Sequence, residues 1–178
     1  MITARQKRKE NIVEYLIYMW QVEDLIRACR LDMDAIESRV VSQYDQPEEV
    51  KAEIRQWYQE IVDMMRGENV MECGHVQINK NVVIQLTDLH LELLKSPQET
   101  TYNALYYKAL PSIVQLRTKS GGNEVPEIET CLTAIYGYLL LKMQQREVSA
   151  ETTDGIKHIS NLLAFLAAKF NEAESINV

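Results

Sequence analysis

Apolar residues in this chain recur at intervals of three and four, and almost nowhere at intervals of two. Val50, Ile54, Trp57 and Ile61 keep that spacing, as do Ile78, Val82, Leu86, Leu89 and Leu93. It places each set on one face of a helix, whereas a half-buried strand needs strict alternation. The chain is therefore read as all-α, a bundle of six or seven helices that bury their apolar stripes against one another.

Turn and cap chemistry divides the stripes. A first helical segment covers about 3–30, with Ile12, Leu16, Met19, Ile26 and Cys29 on one face. Asp34 with Glu37, and Asp45 with Glu48, have the spacing of a capping box and predict two further helix starts, the second with Pro47 in its first turn and its end at Gly67. Residues 67–74 read as a loop. The β-branched run Val82, Val83 and Ile84 keeps a hairpin with 70–78 open as an alternative. Ser96, Pro97 and Glu99 predict another helix start, and Pro111 a kink within that helix. Ser120 to Asn123 read as a turn, Pro126 opens the next helix, and Ser149 caps the last.

The segment 126–145 is apolar on nearly every side, through Ile128, Leu132, Ile135, Tyr138, Leu139, Leu140, Leu141 and Met143, so it is expected at the centre of the bundle. No repeat or linker divides the 178 residues, and one domain spanning 1–178 is expected.

A net charge of -7 argues against nucleic-acid partners, which need cations to replace released counterions. The one basic cluster, Arg5, Lys7, Arg8 and Lys9, reads as a solvated first turn. No run approaches the roughly 18 apolar residues that a membrane span requires. Cys29, Cys73 and Cys131 are odd in number and scattered, which suits free thiols in a reducing compartment, and the start lacks the apolar core of a signal peptide. A cytoplasmic protein is expected. Phosphate loop, nucleophile elbow and paired zinc histidines are all missing, so no catalytic residue is assigned and enzyme activity stays open.

Four places invite chemistry. Glu72, Cys73 and His75 resemble a ligand cluster, yet the Glu-x-x-His spacing occurs once, without the second copy and extra carboxylates of a di-metal bundle; neither metal nor cofactor is expected. His90 and His158 stand alone, without a nucleophile to serve. Glu23 falls in the middle of the first apolar arc, where a carboxylate needs a partner, and Arg27 one turn on can supply an ion pair. Together with Tyr15, Met19 and Trp20 that pair is either a structural ion pair or a polar pocket for a small ligand whose identity the residues do not give. On the last helix Leu162 and Phe165 lie opposite Ile156 and Leu163, and a dimer through them is expected. The main functional reading is thus a non-enzymatic interaction protein with itself or another protein as partner; the alternative is a ligand binder or enzyme around Tyr15, Glu23 and Arg27.

The run Arg8 to Ile12, the run Tyr18 to Arg27 and the run Gly74 to Asn81 resemble an uncharacterised bacterial family from gut anaerobes, a domain of unknown function. The resemblance spans the whole chain. It implies a bacterial cytoplasmic protein and no particular activity.

Overall fold

The computed structural model describes residues 2–119 and 125–176. Among these the chain forms eight α-helices and no strand: α1 (Ile2–Glu10), α2 (Ile12–Ala28), α3 (Met33–Arg39), α4 (Glu48–Gly67), α5 (Gln77–Lys95), α6 (Thr100–Lys119), α7 (Glu127–Met143) and α8 (Ala150–Ile176), with a 3-10 turn at Val41–Gln43. The fold is all-α, with one helix more than the sequence pattern suggests. Asn11 divides the first segment, because its side-chain oxygen accepts the Val13 N–H at 3.0 Å and gives α2 its own cap.

Other boundaries differ for equally local reasons. Asp32, not Asp34, caps α3, accepting the Asp34 N–H. Pro47 is the extended cap residue of α4 rather than part of its first turn. Ser96 closes α5 instead of opening α6: its N–H reaches the carbonyls of Glu92 and Leu93, and α6 begins only at Thr100. Pro111 lies inside α6, which runs on to Lys119. Ser149 caps α8 as expected, its hydroxyl accepting the Thr152 N–H at 3.2 Å. No hairpin forms, since Val82, Val83 and Ile84 belong to α5 and 68–76 is loop. The turn expected at Ser120 to Asn123 lies outside the described residues.

The described residues gather into two compact units, one made by those up to 10 together with 14–81, the other by 11–13 and those from 82 onward. In the first, Leu16 and Met19 of α2, Ile36 of α3 and Ile61, Val62 and Met65 of α4 are buried. The Tyr18 and Tyr58 hydroxyls meet Tyr44, and burial, then that neighbour, pushes both well above the ordinary tyrosine range. In the second unit α8 packs on both α6 and α7. Leu162 and Leu166 are therefore buried along with Ile159 and Leu163, each leucine contributing about 2 kcal/mol.

This arrangement corrects two expectations. In place of a fully enclosed α7, each of α6, α7 and α8 packs on the other two, and α7 is covered along only part of its length. Ile128, Cys131 and Leu132 of α7 are buried, but 134–141 are only half-buried and Met143 is exposed. Nor does α8 present an outward patch: Leu162 is fully buried, and Phe165 lies against the Tyr102 ring at 5.8 Å.

Candidate functional site

Glu23, on α2, has no solvent exposure at all. An ionised carboxylate in a core costs several kcal/mol unless donors replace its water. Three do so. Oε1 accepts the Val76 backbone N–H at 3.1 Å and the Asn79 side-chain amide at 2.8 Å, and Oε2 stands 2.5 Å from Nδ1 of His75. A carboxylate only accepts, so the imidazole supplies the proton of that last contact. The Val76 and Asn79 donors come from the opening of α5, where the helix dipole also favours a negative charge. Tyr15, two turns before Glu23, donates its hydroxyl to Oδ1 of Asn79 at 3.4 Å.

His75 is held on more than one side. Its ring stacks on the Trp20 indole, with centroids 4.2 Å apart and planes 11° from parallel. The side chain keeps 29% of its surface exposed, and its Nε2 makes no hydrogen bond among the described residues. The outcome is an imidazole of fixed orientation and tautomer with one nitrogen free for a ligand.

The loop that carries His75 is itself anchored. Arg27 pairs with Asp24 at 2.8 Å and donates to the Val70 carbonyl at 3.1 Å and to the Gly74 carbonyl. Glu68 accepts the Gln77 N–H at 2.5 Å, so the first turn of α5 is met by carboxylates from Glu23 and Glu68. Gly74 has φ of +83°, a left-handed conformation in which a side chain would be strained.

Of the residues singled out in the sequence, Tyr15 and Glu23 are brought together through Asn79. Arg27 is not the partner of Glu23; its guanidinium is used by Asp24 and the loop carbonyls, and a histidine 52 residues away takes its place. The Glu72, Cys73 and His75 cluster separates, and no group of three or more His, Cys, Asp or Glu among the described residues could hold a metal ion. Asn79 and the stacking role of Trp20 carried no pattern of their own. A usable signal did exist, because the runs Tyr18 to Arg27 and Gly74 to Asn81 are the ones the fold joins.

A family model described as a domain of unknown function (DUF4924) matches residues 1–176. The chain belongs to the DUF4924 family. No curated protein and no solved structure matches it.

The remaining histidines of this DUF4924 chain are differently placed. His90 is 2% exposed, with Nδ1 2.6 Å from the Tyr102 hydroxyl and Nε2 3.5 Å from Glu127, which Arg117 also holds at 3.3 Å. Burial pushes the His90 imidazole below its ordinary range, and Glu127 opposes the shift without cancelling it. His158 pairs with Asp154 at 3.4 Å one turn away on α8. His75 alone combines a buried carboxylate partner with an exposed edge.

Proposed function

We propose that this chain binds a small polar ligand at His75 and that Glu23 and His75 form the proton-handling pair of the site. The observation that carries the reading is the fully buried Glu23 carboxylate fixed 2.5 Å from Nδ1 of a partly exposed histidine. A structural histidine does not need an edge in solvent. With Nδ1 committed to the Glu23 carboxylate, Nε2 is the ring nitrogen left to hydrogen-bond a hydroxyl or acid group of a ligand. Diethyl pyrocarbonate with peptide mapping tests the free nitrogen, and native mass spectrometry of the purified protein tests for a retained ligand. Fast acylation of His75 and a bound mass that His75→Gln loses are expected; an inert His75 with no bound mass overturns the reading.

A second reading rests on α7, whose half-buried apolar residues 134–141 and exposed Met143 favour contact with another copy of the chain. Light scattering should then give twice the chain mass, reduced to the single mass by Leu140→Glu with Met143→Glu. A wild-type monomer at high concentration removes it. Nucleic acid and membrane are not among the proposed partners: the chain carries a net charge of -7, and no described helix is long and apolar enough to cross a membrane. The proposed compartment is a bacterial cytoplasm, in keeping with the unpaired thiols of Cys29, Cys73 and Cys131.

A further inference from the structure

A groove of about 660 Å³ opens in the first unit between α1, Tyr44 and the solvent side of α4. That size falls within the roughly 300–1,000 Å³ of small-molecule sites. Two rows of α4 residues line it. Val50, Ile54 and Trp57 run at i, i+4 and i+7 and form an apolar floor, in which Ile54 is buried and Trp57 half-buried. Beside them Glu49, Glu53 and Glu60 run at i, i+4 and i+11. Tyr44 adds a second aromatic ring from the loop before α4.

The charges here are out of balance. Three carboxylates face one guanidinium, that of Arg5 on α1. Among the described residues Glu49, Glu53 and Arg5 have no ion pair, and Glu60 accepts only from Gln56 at 3.4 Å. The carboxylates are strung along the helix over about 16 Å at 1.5 Å per residue, rather than converging on a point. Convergence is what a metal ion needs, and no described cluster offers it. Separated negative charges beside a continuous apolar row call for cations separated by methylenes, and the Trp57 indole adds a favourable face for one of them.

We infer that this groove binds a linear aliphatic polyamine, with its methylenes along Val50, Ile54 and Trp57 and its ammonium groups at Glu49, Glu53 and Glu60. The site is independent of His75. Calorimetric titration with spermine at about 0.15 M salt, where loose surface charge is screened, should show one saturable site per chain. Glu53→Gln with Glu60→Gln, both exposed and expected to leave the fold intact by circular dichroism, should weaken it at least about tenfold. Trp57→Leu should weaken it with no change in net charge, whereas Glu147→Gln with Glu151→Gln, which removes two carboxylates elsewhere, should leave it unchanged. Overturning results are unsaturable binding, equal weakening by the Glu147 and Glu151 control, or displacement of spermine by an equal concentration of magnesium. A lysine-rich helical peptide that binds the groove while spermine does not would likewise overturn it in favour of a protein partner.

Discussion

His75 reaches the buried Glu23 carboxylate through Nδ1, at 2.5 Å, while Trp20 covers one face of the same ring at 4.2 Å. Glu23 therefore satisfies three donors at once, those of His75, Val76 and Asn79. Removing it strands all three, two of them in a buried setting, and Glu23→Ala should cost on the order of 3 kcal/mol or more. Arg27→Ala is expected to cost less, about 1–2 kcal/mol, because it releases two loop carbonyls and a half-exposed Asp24 without stranding a buried charge. Urea denaturation of the two variants separates the cases. Equal losses would mean that Arg27 shares the burden of Glu23 and that the donor set drawn above is incomplete.

Periodicity made Glu23 legible as a misfit, because a helix phase needs only neighbours in sequence. Its partner was not legible, since an i,i+4 rule always offers the nearest cation and says nothing of a loop 52 residues on. The same limit explains α7. A helix apolar all round looks central from its own residues, yet how far it is enclosed depends on what packs against it, and residues 134–141 of α7 stay half-buried. Caps misled where two motifs overlapped: Ser96 had the right neighbours for an N-cap but its N–H was already used in closing α5. Where the signal was local and unshared, as with Ser149, the helix start came out as read.

His90 makes stability depend on pH in a definite direction. Burial holds its imidazole neutral in the fold below the ordinary value of about 6.5, while the unfolded chain protonates at that value. The unfolded state therefore binds more protons than the fold as pH falls through 6.5, and the contribution of His90, complete above that pH, is lost progressively below it. The slope for one such group approaches about 1.4 kcal/mol per pH unit at most, and Glu127, which favours the charged ring, keeps it smaller. Denaturation midpoints measured from pH 7 to pH 5 should fall, with a shallower fall in His90→Gln. A variant whose slope equals that of the wild type would assign the acid sensitivity to another group.

Two glycines in the second unit should respond oppositely to the same substitution. Gly137 lies in the half-buried part of α7, and a Cβ added there would meet nothing within 4 Å. Gly137→Ala should therefore stabilise the protein by about 1 kcal/mol, the usual gain in helix propensity and unfolded-chain entropy. Gly155 lies where α8 crosses α6, and a Cβ there would come 2.6 Å from Oγ and 3.3 Å from Cβ of Ser112. The hydroxyl can rotate away, but the Cβ moves only with its backbone, so the crowding should exceed the propensity gain and Gly155→Ala should lower stability by about 1 kcal/mol. Adding Ser112→Ala removes the nearer clash and should restore part of the loss, which a double-mutant cycle in thermal unfolding would detect. A stabilising Gly155→Ala, or one indifferent to Ser112, would show that the two helices stand further apart than this contact requires.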